Sequence, residues 1–384
     1  MKIVLVGPFP VSLDYICGGV ESSVLGLSES LVTAEHEVDV FDYPRIGGKD
    51  TVEHIGQLTV HRYNNNGKRN RDAVTREKDI LRDILALHPD VVHLHGTGEL
   101  ILALHKAITD YGIKAVLTVH GLMREEKKNS LLRHPSITHL YQYIYQTKAE
   151  SEILSLADNV IVDTEYVAER INRYYTEKKI SRLPKIHVIP QGINKEYFNI
   201  SCSSSSKTLL SVGAISPRKG HLQTLQMFNL LRCWGTEATL RIIGSLADEK
   251  YLELLQKEVE RSPYKTDISI EINISQEELF KAYSTSEIFV LHSHEESQGI
   301  VFAEAMATEM PVVATRVGGI PNVVTSGKCG FLCDLGNIRT MAEMVERLLT
   351  DKQLWVSFSN SAKSSALQYD WKRIAAQILN LYKQ

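Results

Sequence analysis

The sequence predicts an α/β protein of two doubly wound, Rossmann-like domains facing each other across a cleft. Three observations carry this reading. Short apolar runs alternate with amphipathic helical stretches along the chain. That alternation breaks and restarts near residue 190. The length of 384 residues suits two domains of roughly 150–200 residues each.

The first run is Ile3–Val6, ending at Gly7, and a loop with Gly18-Gly19 follows. Val24, Leu27, Leu31 and Val32 are spaced for one buried face of a helix from Val20 to about Val32. Val38–Phe41, Val91–Leu94, Ala115–Val119 and Val160–Val162 read as further strands, with helices near 75–87, 99–110 and 140–156. The polar, basic stretch 61–71 reads as a mobile loop.

After the break, His187–Ile189 reads as a strand and Ile200–Lys207, ISCSSSSK, as a flexible surface connection. Thr208–Val212, Thr239–Ile243, Ile268–Ile272, Ile288–Leu291, Pro311–Ala314 and Gly330–Cys333 then repeat the strand pattern. The last segment, Tyr369–Tyr382, is helical, with Trp371, Ile374, Ala375, Ile378 and Leu379 on one face. The expected domains are 1–188 and 189–367, with 368–384 packing back on the first. Ligands of such sheets sit outside the carboxyl ends of the strands.

Composition excludes several classes. Net charge is −3 and acidic and basic residues are balanced in both halves, so no basic footprint points to nucleic acid. The start, MKIVLVGPFP, is too short for a signal-peptide core of about 7–15 apolar residues. No run approaches the roughly 20 apolar residues of a membrane span. Cysteines 17, 202, 233, 329 and 333 are scattered and read as reduced thiols of a cytoplasmic protein. Cys329 and Cys333 lack the partners of a zinc site, and His93, His95 and His120 have no carboxylate at ligand spacing. No metal site is expected.

The segment Leu291–Val313, LHSHEESQGIVFAEAMATEMPVV, concentrates the chemistry. A strand ends, a polar loop carries Glu296, and a helix from about Ile300 carries Glu304 eight residues later. Ser297-Gln298-Gly299 precedes the helix, whose unpaired amides and dipole attract phosphate. A carboxylate in the first turns can accept two hydrogen bonds from a ribose diol, and one at the loop apex can hold sugar hydroxyls. The plainer alternative is two solvated carboxylates at an ordinary helix start.

Glu296 to Glu304 with Ala305-Met306-Ala307, followed by Pro311-Val312-Val313 and Gly318-Gly319-Ile320-Pro321, resembles the Glu-x7-Glu signature of group 1 (family 4) retaining glycosyltransferases. Gly18-Gly19-Val20-Glu21 matches that family's N-terminal glycine loop and Thr118-Val119-His120-Gly121 its histidine loop. Val188 to Asn194 resembles its hinge, with Gln191 and Asn194 where Asn and Asp are common. The resemblance covers nearly the whole chain. It implies the GT-B architecture, an acceptor-side domain 1–188 and a nucleotide-sugar donor domain 189–367. Glu304 would hold the donor ribose and Glu296 a hydroxyl of the transferred sugar. The backbone from Gln298 through Gly299 and Ile300 to Val301, with Ser297, would meet sugar and diphosphate. Gly18 and Gly19 would approach phosphate or acceptor, His120 would face the donor sugar, and the main chain near Ile274 would meet the base.

In Leu209–Gly220, LLSVGAISPRKG, a strand ends at Gly213, and Arg218-Lys219 precedes Gly220 and a helix. Cations there offset charge on a leaving diphosphate. Lys219 matches the family lysine, but Ala214 stands where the family has arginine. Either Arg218 partly substitutes, or phosphate binding is weaker, or activity is compromised.

The expected function is retaining, metal-independent, front-face transfer of a hexose-type sugar from a nucleotide-diphosphate sugar, with no cofactor, in cell-surface polysaccharide synthesis. The acceptor is a glycan, lipid-linked or small molecule. A nucleotide-sugar epimerase or phosphorylase on the same fold, or a non-catalytic nucleotide-sugar-binding subunit, are the alternatives. Basic residues in 61–78 and 124–148, the latter beside Tyr141, Tyr143 and Tyr145, suit peripheral contact with an anionic membrane. The alternative is two solvated loops and a core-facing tyrosine set.

Overall fold

The computed structural model describes residues 1–16, 18–44, 49–65, 76–133, 136–178 and 182–384, the side chains of Ser130 and Arg133 excepted. The chain divides into two compact units. The first joins Met1–Pro10, Val20–Pro190 and Trp371–Gln384, and the second joins Val11–Gly19 and Gln191–Asp370. The domain bounds expected from the sequence, 1–188 and 189–367, put Gly18 and Gly19 in the first domain. The segment Val11–Gly19 packs with the second, where Gln276 N donates to Asp14 O (3.0 Å) and Tyr15 Oη to Asn273 Oδ1 (2.6 Å).

In the first unit the strands are β1 (Lys2–Val6), β2 (Glu37–Phe41), β3 (Thr51–Ile55), β4 (Leu58–Arg62), β5 (Val91–His95), β6 (Lys114–Val119), β7 (Asn159–Val162) and β8 (Lys185–Val188). They form one sheet in the order β3-β4-β2-β1-β5-β6-β7-β8, parallel throughout except for the β3–β4 hairpin. Helices α1 (Gly19–Thr33), α2 (Glu77–Ala86), α3 (Glu99–Asp110), α4 (Met123–Arg133), α5 (Ile137–Leu156) and α6 (Glu165–Lys178) connect them. Strand order reverses between β1 and β5, so the carboxyl ends of those strands bound a natural ligand position.

Four expectations for this unit need correction. The hairpin β3–β4 is not among the expected strands, because its edge strand, TVEHI, is mixed polar and apolar and partly exposed instead of running apolar. His61 and Arg62, placed in a mobile loop, lie in β4 and are ion-paired. His61 Nε2 is 2.9 Å from Asp39, and Arg62 bridges Asp42 (2.9 Å) and Glu53 (2.8 Å). Residues 66–71 of that stretch lie outside the described residues. The alternative of a solvated loop over 124–148 fails: the helix expected near 140–156 is α5, preceded by α4 and capped by Ser136, whose side chain accepts from His139 N. Its tyrosines Tyr141 and Tyr145 do not face the core; they are exposed and stacked at 5.4 Å.

Helix α14 (Trp371–Lys383) completes the unit. The indole of Trp371 lies where a Cβ on Gly26 of α1 would stand, 2.0 Å from its Nε1. Lys114 Nζ donates to the terminal carbonyls of Leu381 (3.0 Å) and Tyr382 (2.8 Å), a cation where a helix end exposes oxygens.

The second unit has strands β9 (Thr208–Val212), β10 (Thr239–Gly244), β11 (Ile268–Ile272), β12 (Ile288–Leu291), β13 (Val312–Thr315) and β14 (Gly330–Cys333). They form an all-parallel sheet, β11-β10-β9-β12-β13-β14. Its helices are α7 (His221–Cys233), α8 (Glu249–Arg261), α9 (Gln276–Thr285), α10 (Ile300–Ala307), α11 (Ile320–Val323), α12 (Ile338–Thr350) and α13 (Lys352–Ala366). The runs IFVL and VVAT of β12 and β13 are wholly buried because helices cover both faces. Order reverses between β9 and β12, which sets the loops after these two strands side by side. The connection Ile200–Lys207, expected to be flexible, is fastened: Cys202 N donates to Thr308 O (2.8 Å) and Ser203 N to Ser286 O (2.9 Å).

Candidate active site

The loops after β9 and β12 are joined directly. His294 N donates to Arg218 O (2.8 Å). Gly220, at φ +65, stands where a Cβ would lie 1.9 Å from His292 O, so only glycine permits the approach. Lys219 ends a 3-10 turn, Pro217–Lys219, and its stem passes over Gly213. Its Nζ reaches Glu296 Oε1 at 2.5 Å, although the two residues are 77 apart in sequence. Ser293 Oγ donates to the same oxygen (2.9 Å), and Arg218 Nη1 stands 3.8 Å from Glu296 Oε2.

Both members of the Lys219–Glu296 pair are buried. Burial lowers the Lys219 ammonium below its ordinary pKa, opposed by Glu296 and aided by Arg218. Burial pushes the Glu296 carboxyl up, but Lys219 and Arg218, with hydrogen bonds from Lys219 and Ser293, hold it below its ordinary value. The Glu296 backbone is held from the far side: Gly319 N donates to its carbonyl (2.9 Å), and a Cβ on Gly318 would lie 2.0 Å from that oxygen.

Beyond Ser297, the buried Gln298 side chain is taken up by the backbone of Gln191. Its Oε1 accepts from Gln191 N (2.8 Å) and its Nε2 donates to Gln191 O (3.1 Å). Only its backbone remains for the contact expected of it. Gly299, at φ +80, precedes α10, where a Cβ would lie 2.6 Å from the Phe302 ring. Ile300 and Val301 open the helix; the first amides of a helix lack an intrahelical carbonyl, although Phe302 N here donates to Gly299 O (3.0 Å). Gly19 lies against Ile300, with a hypothetical Cβ 3.6 Å from its Cγ2. Gly18, at φ +112, precedes it. Glu304, one turn on, is buried and accepts from Tyr283 Oη (3.0 Å). Burial raises its carboxyl to about 7, with hydrogen bonds from Tyr283 and Tyr197 opposing. Ile274 follows β11 and is packed partly into the core.

In the first unit His93 lies in the middle of β5, His95 ends that strand, and His120 follows β6. His95 Nδ1 is 3.0 Å from His120 Nε2, and His120 Nδ1 is 3.5 Å from Asp163 Oδ2. His93 is fixed by Thr118 and Tyr382, each at 2.6 Å, and stacks on His95 at 4.4 Å. Burial and the neighbouring rings depress His95 well below its ordinary pKa and His93 to about 3. Both are neutral supports. Among the described residues no group of three or more His, Cys, Asp or Glu is placed to hold a metal ion.

The sequence profile of Glycosyl transferases group 1 matches residues 193–365, and that of Glycosyltransferase Family 4 matches residues 17–197. The chain belongs to the group 1 glycosyltransferases. A D-inositol 3-phosphate glycosyltransferase of Paenarthrobacter aurescens is 25% identical over 391 aligned positions, covering 96% of this chain and 93% of that one. The sucrose-phosphate synthase of Thermosynechococcus elongatus superposes with a TM-score of 0.80 at 20% identity, over 100% of this chain and 99% of that one. Anabaena HepE, solved with UDP and glucose, superposes with a TM-score of 0.73 at 17% identity, over 100% of both chains. The two parallel α/β units are those of GT-B glycosyltransferases.

Several residues of this group 1 glycosyltransferase were not singled out from the sequence. Ser293 holds Glu296, Tyr283 and Tyr197 favour the Glu304 charge, and Asp163 faces His120. Gly319 is legible in the Gly-Gly-Ile-Pro continuation, though not its hold on Glu296, and Ser293 could have been found, since it precedes the signature by three residues. The two tyrosines could not: their partner lies 21 residues away for Tyr283 and farther for Tyr197, and only packing joins them.

Proposed function

We propose that the enzyme transfers a hexose-type sugar from a nucleotide-diphosphate sugar with retention and without a metal ion. The observation that supports this most is the buried Lys219–Glu296 pair, set beside the α10 N-terminus at the reversal of strand order. The HepE complex with UDP and glucose points to the same donor class.

Here the ribose meets Glu304 and the diphosphate meets the amides from Gln298 to Val301. Glu296 accepts from a sugar hydroxyl. Lys219 has three N–H groups; one satisfies Glu296 and another is available to a phosphate oxygen. Arg218 adds the second cation where Ala214 supplies none. Gly18 and Gly19 admit the donor closely, and the backbone at Ile274 meets the base. His120 faces the sugar; because Nε2 meets His95 and Nδ1 meets Asp163, a ring contact requires one of these partners to be exchanged.

The acceptor oxygen attacks C1 on the face the diphosphate leaves. The C1–O bond to phosphate breaks, the new glycosidic bond forms, and the acceptor proton passes to the leaving phosphate oxygen. Lys219 and Arg218 stabilise the charge that develops there. The test is incubation with UDP-, GDP- and ADP-sugars in excess EDTA, with NMR of the product anomer. Retained configuration and undiminished rate are expected. An inverted product, or activity lost on chelation and restored by magnesium or manganese, contradicts the reading.

The acceptor is a cell-surface or lipid-linked glycan met at an anionic membrane. Arg62 and Arg76 no longer support this, being ion-paired to Asp42 and Glu53 and to Asp50 and Asp79. Support comes instead from α5, which exposes Ile137, Leu140, Tyr141, Ile144 and Tyr145 beside exposed Lys148. An open cavity of about 650 Å³, lined in part by Tyr143, Ile144, Lys148 and Tyr174, adjoins them. No helix among the described residues is long and apolar enough to cross a membrane. Co-sedimentation with anionic vesicles should fall as salt rises; no sedimentation at low salt rejects the membrane contact.

A further inference from the structure

Glu304 is an unusual ligand for a nucleotide, because it is a carboxylate in an apolar box. Phe289, Phe302, Ala303, Ala305 and Met306 belong to the buried cluster around it. Two phenols enter that box from different parts of the chain. Tyr283, wholly buried on α9, donates to Glu304 Oε2 at 3.0 Å. Tyr197, nearly as buried, comes from the 3-10 turn Lys195–Asn199, packs edge to face on Tyr283, and its phenol favours the charged form of the carboxyl. The rings meet edge to face, centroids 5.1 Å apart, and Tyr197 meets Phe280 in the same way. Neither can swing away without opening the core.

We propose that Tyr197 and Tyr283 are positioning residues that hold the Glu304 carboxylate charged and oriented for the two hydroxyls of the donor ribose. This rests on the assignment of Glu304 to the ribose. The phenols are fit for the task because burial, and then the Glu304 charge, push their own ionisation well above the ordinary range, so they remain donors at every working pH. Among the described residues no charged group adds to these causes at Glu304: Lys363 of α13 is paired with Glu309 (2.5 Å), Thr315 of β13 donates to Ser293 O, and Lys195 and Glu196 of the 3-10 turn are exposed. Glu304 sits near half-ionised at pH 7, with burial opposing its charge and the two hydrogen bonds favouring it. Nucleotide binding should therefore follow its ionisation, at a pH the tyrosines set.

The test uses Tyr283→Phe and Tyr197→Phe, which keep the rings and remove only the hydroxyls. The Glu304 carboxyl is titrated by 13C NMR, assigned with Glu304→Gln. Its midpoint should rise by about one pH unit in each variant; an unmoved midpoint overturns the proposal. Calorimetry then compares UDP with 2′,3′-dideoxy-UDP, or the guanosine or adenosine pair if those bind the wild type. Each variant should lose about fivefold in affinity for the ribonucleotide at pH 7, recover by pH 9, and match wild type for the dideoxy analogue. A loss equal at all pH values, or equal for the dideoxy analogue, marks the tyrosines as structural supports and overturns the proposal. If the wild type binds both nucleotides equally while the titration still shifts, the ribose assignment of Glu304 has failed instead. That outcome refutes the coupling to nucleotide through a different measurement.

Discussion

Replacing Lys219 with methionine keeps the stem over Gly213 and removes the charge that Glu296 meets at 2.5 Å. The side chains of the pair are 11% and 5% exposed, so solvent does little to screen what is left. Removing one partner of a buried pair costs about 3–5 kcal/mol. Here the lower end applies, since Ser293 still donates to Glu296, Arg218 remains 3.8 Å away, and the carboxyl can protonate. A loss of about 3 kcal/mol corresponds to a fall of about 6–12 °C in the melting of a unit this size. In the variant the folded Glu296 pKa rises above its unfolded value, so the native state binds the extra proton. Its stability then falls as pH rises between those two values. Scanning calorimetry of the second unit's transition should show a deficit that is small at pH 5 and grows to pH 8. Adding Glu296→Gln should restore most of it. A deficit under about 1 kcal/mol, one independent of pH, or a double variant as unstable as the single one would refute the pairing argument.

Glu304→Ala should weaken nucleotide binding by about 1–3 kcal/mol in calorimetry, the penalty for stranding a buried diol; unchanged affinity removes Glu304 from the site. Glu304→Gln should be more stable than wild type at pH 8, by up to about 3 kcal/mol. The folded carboxyl, at about 7 against 4.5, costs stability as pH rises through that window and a neutral amide does not. Equal melting of the two at pH 8 contradicts the buried carboxylate. Arg218→Ala and Lys219→Ala should lower kcat by comparable factors if Arg218 has taken over from position 214. Ala214→Arg should then rescue Arg218→Ala, and a rate untouched by all three removes the diphosphate from this loop.

The β12–α10 segment was legible because its parts are contiguous. A buried strand, a polar loop and a glycine before a helix fall within Ile288–Ala307. The all-parallel strands of the second unit were legible for a related reason: helices on both faces demand unbroken apolar runs. The edge hairpin β3–β4 breaks that condition, since one face meets solvent, and it was missed. No helix is legible at α4 because its composition carries almost no apolar stripe; its contacts, not its propensity, make it helical.

By itself the sequence determined the alternation of elements, the reversal to a second unit near residue 190, and the local loop that brings Glu296 and Glu304 to one helix start. Those depend on periodicity and on residues a few positions apart. Tertiary structure alone decided who meets whom. It joined Lys219 to Glu296 across 77 residues and Gln298 to Gln191 across 107. It turned the Gln298 amide inward, moved Val11–Gly19 to the second unit, and consumed Arg62 and Arg76 in ion pairs. A charge or a phenol in a sequence carries no record of its burial or its partner. Both are set by which strands stand side by side in the finished sheet.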